Sequence, residues 1–418
     1  MTNEASYFDV HKQFPDGSSM ILGFLAISHT KTGKILEQQF MYEAEYTIHP
    51  LATEISPLMG LDKQGVQRFP SDGSSFVGFI DDLLPDDWGK RLIARRINKR
   101  FITNLTSLNY IGTGSSIGAC KITMNGEVPN WDEGLRLDKA DKIIESLNSG
   151  DIEALSREEL EYVALVRGGS AIGGARPKML VKDLEGNACM VKPNQVTDNH
   201  DVATLEWASL EICRMAGLRT AESSIYTLNG KIKSLLIKRF DTTPEKGRRQ
   251  LATINSLLKD PHTQCDAMNY SYEDIAGCIK KFCWDVKTDL MQLFGTMLIN
   301  QALGNTDDHL RNFSLLSCDK GWELSPIYDV LPHFPLHAEH ASRFNNSGYL
   351  PKLSSAIDTG RALGLSRADA VLVSARVVDA LSNWKELLIK KGVDDPDLLN
   401  ILEATQGRAD PLCQANNR

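Results

Sequence analysis

The spacing of apolar and polar residues changes its period several times along the chain. SSMILGFLAISHTKTGKILEQQFMYEAEYTI alternates every second residue, as half-buried strands do, and Lys31–Gly33 supplies a turn between two of them. That alternation predicts antiparallel sheet up to about residue 75. FIDDLLPDDWGKRLIARRINK turns helical after Pro85, with Asp86 and Asp87 at its start and basic residues towards its end, which suits the helix dipole. IGTGSSIGACKI, residues 111–122, returns to strand and Gly-rich loop, and the polar residues 124–150 read as a surface connection into the helix REELEYVALV.

A second unit starts near Gly168. KMLVKD and ACMVKPN flank a tight turn at Glu185, Gly186 and Asn187 and predict a β-hairpin. VATLEWASLEICRMAGL reads as a helix that ends at Gly217. SSIYTL and IKSLLIKRF follow as strands joined by Asn229–Gly230, a strong hairpin signal. Beyond Asp241 the pattern is mainly helical, with DLMQLFGTMLINQALG the clearest apolar helix. No internal repeat interrupts the order. The expected division is 1–160, 161–240 and 241–418.

Bulk properties narrow the class. At 418 residues the chain exceeds one compact core, and 42% hydrophobic with 24% charged residues is ordinary globular composition. The formal charge of −8 argues against nucleic acid as the main substrate, because such affinity comes from Lys and Arg displacing counterions. Eight cysteines are scattered without a C-x-x-C pair, as in a reducing compartment with free thiols. With no leader-like N-terminus and no apolar run of membrane-spanning length, a cytoplasmic protein away from membranes is expected.

Candidate chemistry concentrates in GNTDDHLRNFSLL. Asp307 and Asn312 stand five residues apart after an apolar helix, and a later strand-like run, WELSPIYDVLP, brings Asp329. Phosphoryl transfer needs one carboxylate for the attacking hydroxyl, and a carboxamide with a second carboxylate for divalent ions. D-x-x-x-x-N is the protein-kinase spacing. Alone it is equally a pair of helix-capping aspartates and a turn asparagine. Upstream, GGSAIGGARPKMLV is a Gly-rich turn ending in Lys178; it departs from the Walker pattern, and by itself it reads as a hairpin. Lys192 sits inside an apolar strand where a kinase places its phosphate-gripping lysine, although strand lysines usually snorkel. Glu206 and Glu211 on the next helix are both candidate partners. The order of these parts carries the argument: an α+β, bilobal protein-kinase-like fold, with a small β-rich lobe and a large helical lobe, preceded by a β-rich N-terminal subdomain.

SAIGGARPK, MVKPN, IKRFD, NTDDHLRNFSLL and SPIYDVLP resemble, in order, the HipA toxins, bacterial serine/threonine kinases of toxin–antitoxin modules; FIDDLLPDDWGKRLIARR is similar to a motif of their N-terminal subdomain. The resemblance covers about residues 20 to 350. It implies ATP and Mg2+ as cofactors, Asp307 as catalytic base, and Asn312 with Asp329 as metal ligands. It further implies a phosphate loop of Gly173, Gly174, Ala175, Arg176, Pro177 and Lys178, an ATP lysine at Lys192, and an adenine hinge at Lys238, Arg239 and Phe240. His309 would sit beside the phosphates, and Leu310, Arg311 and Tyr328 complete the implied ATP-binding set. The regulatory loop serine of some relatives has no clear counterpart: the matching position is Ala171, with Ser170 one residue earlier.

Other clusters have plainer readings. His333, His337 and His340 lack the pattern of a zinc site and read as packed or solvated loop histidines. Asp81, Asp82, Asp86 and Asp87 read as helix caps or subdomain contacts rather than a cation site. Cys278 and Cys283 read as core. The leading expectation is a Mg-ATP-dependent serine/threonine kinase toxin. The resemblance implies a small DNA-binding antitoxin partner, contact with DNA only through it, and a protein substrate in translation such as an aminoacyl-tRNA synthetase. A catalytically weak antitoxin-binding corepressor and a small-molecule kinase are the alternatives. Residues before about 150 carry no catalytic motif and are expected to serve binding.

Overall fold

The computed structural model describes residues 3–70, 76, 78–85, 87–111, 116–124, 126–131, 134–163, 176–259, 270–333, 339–344, 348, 355–393, 401, 405 and 407–412. Strands β1 (Asn3–Gln13), β2 (Ser19–Thr30), β3 (Ile35–Tyr42), β4 (Gln67–Pro70) and β5 (Cys120–Met124) form one antiparallel sheet in the order β4-β3-β2-β1-β5. Its period-two pattern buries Phe8, Val10, Leu25, Ile27 and Phe40 on one face. A short helix, α1 (Ala44–Thr47), follows β3, and α2 (Gly78–Leu83), α3 (Asp87–Arg96) and α4 (Asn104–Ile111) fill the gap before β5. Phe79 and Ile80 of α2 and Leu108 of α4 close the core of this sheet.

Three differences from the sequence reading lie here, the first being that residues 44–47, read as part of the alternating strands, form the single helical turn α1. The chain is already helical before Pro85, which separates α2 from α3 because it has no N–H and disfavours helix at the residue before it. Residues 104–111 are also helical, directly before the stretch expected to return to strand.

The second sheet joins β6 (Leu135–Arg136), β7 (Met179–Lys182), β8 (Ala188–Pro193), β9 (Ser223–Leu228) and β10 (Ile232–Lys238) in the order β6-β7-β8-β10-β9. Asn229 and Gly230 have φ of 52° and 67°, the left-handed pair that a two-residue hairpin demands. Helix α5 (Asp141–Ser149) occupies part of the expected surface connection, burying Ile143, Ile144 and Leu147; α6 (Glu159–Tyr162) is a single turn. Helix α7 (Val202–Met215), capped by Asp201, lies across the sheet.

A third sheet, order β11-β12-β13, consists of β11 (Leu251–Thr253), β12 (Ser314–Cys318) and β13 (Gly321–Leu324). Around it stand α8 (Ile254–Leu258), α9 (Tyr272–Phe282), α10 (Val286–Leu303), α11 (Ala356–Leu363), α12 (Arg367–Leu381) and α13 (Trp384–Lys390). Helix α10 is buried over almost its whole length, and one apolar core runs from α7 through α10 to α12. None of the helices among the described residues is long and apolar enough to cross a membrane.

The first sheet is tied firmly to the rest. Trp322 Nε1 donates to Glu54 at 2.6 Å, and Gln250 Nε2 to the Ile55 carbonyl at 2.8 Å. Arg239 donates to both oxygens of buried Asp241 and to the Ser116 carbonyl, while the Gly118 N–H donates to Asp241 at 2.6 Å. A Cβ at Gly247 would collide with the carbonyls of Phe14 and Pro15. The expected binding unit is thus also welded to the centre of the molecule.

Candidate active site

Strand β8 carries Lys192 to the buried side of the second sheet, where its ammonium meets two carboxylates: Glu206 of α7 at 2.7 Å and Asp329 at 2.5 Å. Spacing left two glutamates open; Glu206 is the partner, while Glu211 pairs with Arg214 one turn away, near the surface. Burial opposes charge on Lys192, but the two carboxylates outweigh it and hold the amine protonated well above its ordinary range. Burial likewise opposes charge on Asp329, yet Lys192 and then Lys178 overcome it and keep that carboxyl well below the usual range. Glu206, deeper still, is pushed upwards by burial against the pull of Lys192. Asp329 has φ of 59°, a left-handed backbone that aspartate and asparagine tolerate better than most residues.

Helix α10 ends at Gly304, φ 72°, and the chain enters the D-x-x-x-x-N turn. Asn312 Nδ2 donates to the Asp307 carbonyl at 2.7 Å, closing that turn on itself. His309 Nε2 lies 3.8 Å from the Asp307 carboxylate; burial lowers the His309 pKa, which favours the neutral ring. The two adjacent aspartates separate in role. Asp308 is fully buried and accepts from the Tyr272 hydroxyl at 2.8 Å and the Ser342 N–H at 3.1 Å, with His340 Nδ1 also at 3.1 Å. Asp307 keeps 18% of its side-chain exposure. Tyr328 ties the next segment in by donating to the Arg311 carbonyl at 2.8 Å, and its ring stacks on Phe240.

Between the sheets opens a cleft of ≈ 880 Å³, its mouth included. Ile117, Met190, Ile237, Leu251, Phe240 and Tyr328 supply its apolar surface; Lys178, Lys192, Arg311, Asn312 and Asp329 bring polar groups. Lys238 and Arg239 also line it, although the Arg239 guanidinium is engaged by Asp241 and Ser116. Arg176, Pro177, His309 and Leu310 stand outside the lining: Arg176 forks onto Asp198, and Leu310 is in the core. Asp307 is likewise outside the lining, joined to it through its carbonyl, which accepts from Asn312. Gly173, Gly174, Ala175, Ala171 and Ser170 lie outside the described residues.

Sequence reasoning did not place Asp82, Ile117, Met190, Ile237, Asp241, Leu251 or Thr253 in the cleft, all of which line it. Asp82 accepts from the Thr253 N–H at 2.9 Å and its hydroxyl at 2.5 Å, and burial pushes its carboxyl up to about 6. The reading of Asp81 and Asp82 as subdomain contacts matches their partners, Arg311 and Thr253. Asp86 lies outside the described residues, and Asp87 is the first residue of α3. His333 meets Thr306 and His340 meets Asp308, each in separate contacts, whereas His337 is outside the described residues. Among the described residues no group of three His, Cys, Asp or Glu is placed to hold a metal. Asn312 and Asp329 nevertheless offer the oxygen donors that suit Mg2+, an ion that keeps several waters and needs few protein ligands. Cys278 and Cys283 are buried and form no disulfide.

Residues 170–384 match the HipA-like C-terminal domain, and residues 26–123 match the HipA N-terminal domain. Among curated proteins, a candidate kinase of Sinorhizobium fredii is 31% identical over 61 residues, covering 15% of this chain and 14% of that protein. A candidate kinase of Haemophilus influenzae is 25% identical over 184 residues, covering 40% of this chain and 54% of that protein. The chain thus spans about half the length of one relative and about a seventh of the other. Among solved structures, it superposes with a TM-score of 0.69 and 17% identity on a chain of the Shewanella oneidensis MR-1 complex of HipA, HipB and operator DNA, covering 98% of this chain and 99% of that one. The two share a fold.

Proposed function

The chain belongs to the HipA family, and from that premise we propose that it is a Mg-ATP-dependent serine/threonine protein kinase acting as the toxin of a toxin–antitoxin module. The observation that carries this reading is the Glu206–Lys192–Asp329 ion triad in the wall of a largely apolar cleft, beside the closed D-x-x-x-x-N turn. The apolar walls suit adenine. Lys192, oriented by Glu206, suits phosphate oxygens, and Lys178 adds a second cation. Asn312 and Asp329 would hold Mg2+, which would supply positive charge to offset that of the phosphates. Asp307 would orient the attacking hydroxyl and accept its proton as the new O–P bond forms and the β–γ bridge breaks, the electron pair leaving with ADP.

We assign residues 1–160 to the N-terminal subdomain, 161–240 to the small lobe with phosphate loop and hinge, and 241–418 to the large lobe. The shared fold with a chain of the HipA–HipB–DNA complex supports a small DNA-binding antitoxin as partner, with DNA reached only through it. The net charge of −8 fits that indirect role. A protein of translation as substrate, in the cytoplasm, completes the proposal.

The test is transfer of labelled phosphate from ATP into lysate proteins, measured against Mg2+ for three proteins. Wild type should label a protein band. Asp307→Asn should slow turnover by about two to four orders of magnitude, the range for a general base, with Mg-ATP binding kept. Asp329→Asn should need more Mg2+ and partly recover when it is supplied. No transfer by wild type, or labelling of a metabolite alone, sinks the reading; interchangeable Mg2+ profiles sink the division of roles.

A further inference from the structure

Helix α2 belongs to the first sheet's core, yet its two carboxylates reach the catalytic half of the molecule. Asp81 accepts from Arg311 Nη2 at 2.8 Å and from Asn255 Nδ2 at 3.2 Å. Its neighbour Asp82 binds Thr253, the residue that caps α8. Asp82, Thr253 and Arg311 all line the cleft. The close approach is sterically specified: a Cβ at Gly78, the first residue of α2, would collide with the Ser256 carbonyl of α8.

Arg311 is the residue before Asn312, and its carbonyl accepts from Tyr328, the neighbour of Asp329. One residue is therefore bonded at its side chain to the N-terminal sheet unit and at its backbone to the segment carrying Asp329. Arg311 Nε is buried and takes no partner, so the guanidinium is tied at Asp81 and retains donor capacity. The Asp81 and Arg311 side chains keep 23% and 30% of their exposure. A pair so hydrated adds little to stability, and its worth lies in geometry.

We propose that α2 is a positioning element of the phosphoryl-transfer site: Asp81 is a positioning residue that holds Arg311, and through it the turn from Asp307 to Asn312, in working register. For its chemistry this rests on the kinase reading above.

The experiment compares the full-length wild type with Asp81→Ala, Asp81→Asn, Arg311→Met and the Asp81→Ala/Arg311→Met double variant. Asp81→Ala should lower kcat about ten- to hundredfold, since a misplacement of about 1 Å can cost about a hundredfold. KM for Mg-ATP should change less than about threefold, because the interaction lost is one that serves the transition state. Asp81→Asn still accepts from Arg311 and should regain part of the rate. Deuterium uptake in residues 305–313 should rise equally in the Asp81→Ala and Arg311→Met variants and no further in the double variant, with residues 286–303 unchanged. That readout requires no catalysis. An inactive wild type with linked exchange overturns the kinase reading and leaves the clamp standing. Unaltered exchange, additive effects in the double variant, or a KM that rises as far as kcat falls overturns the clamp.

Discussion

Replacing Lys192 with Met tests whether the ion triad is as costly to disturb as its burial implies. The substitution keeps much of the side chain's length and removes the cation that lies 2.7 Å from Glu206 and 2.5 Å from Asp329. Glu206 has 3% of its side chain exposed and gains no water in compensation, whereas Asp329 has 24%. Removing one partner of a buried pair typically costs about 3–5 kcal/mol. The hydration left to Asp329 argues for the low end, about 3 kcal/mol. For a unit of some 150–250 residues each kcal/mol moves Tm by about 2–4 °C, so a fall of about 6–12 °C is expected.

Acid should separate the two proteins further. In wild type the Asp329 pKa is depressed below 3.8, so its stabilisation is complete above that value and is lost only as pH falls towards the folded pKa. Without Lys192, Glu206 loses the cation that offsets its burial, so its carboxyl rises further above the ordinary range and folding takes up protons. The variant's penalty must therefore shrink as pH drops from 7 to 5. Lys192→Met/Glu206→Leu should recover most of the lost stability, because the buried charge without a counter-ion is gone. Calorimetry at both pH values, with circular dichroism to confirm the fold, makes the comparison. A Tm change under about 2 °C at pH 7, or a penalty that grows on acidification, would refute the reasoning.

Mg-ATP should raise the wild-type Tm, by the equivalent of about 2.7 kcal/mol at a hundredfold excess over Kd, and Lys192→Met should lose most of that increment; thermal shift at millimolar Mg-ATP decides it. Asp82, raised from 3.8 to about 6 by burial, penalises its own ionised form, so its contribution to stability falls as pH rises from about 4 to 6. Relative to Asp82→Asn, wild type should therefore lose ground between pH 4.5 and 6.5, and a flat or opposite difference in Tm would show that the carboxyl is not buried as described.

The sequence made the linear order of the site legible because each part is a local signal. Asn229–Gly230 announces its hairpin through backbone sterics, and Lys192 stands out as a charge in an apolar strand. Choosing Glu206 over Glu211 required knowing which face of α7 meets β8, since both positions are compatible with a helix packed there. Asp307 and Asp308 are equivalent in the string, yet one keeps 18% of its side-chain exposure and the other is consumed by Tyr272 and Ser342. Helix α5 escaped notice because nine residues offer only two turns of periodicity within a polar stretch. Asp82 could be read as a subdomain contact but not placed in the cleft: its partner Thr253 is 171 positions away, and nothing local marks a carboxylate for so distant a hydroxyl.

The joints between the first sheet and the catalytic half also set a timetable. Arg311 is made 230 residues after Asp81, and Trp322 is made 268 residues after Glu54. At about 5–20 residues per second, a ribosome needs roughly 12–50 s to deliver the arginine after its partner. Throughout that interval Asp81 lacks Arg311, although Thr253 and Asn255, the other partners of the α2 carboxylates, have already been made, and the cleft lacks Asn312 and Asp329. The chain is therefore unable to acquire its assembled site until most of it has been made.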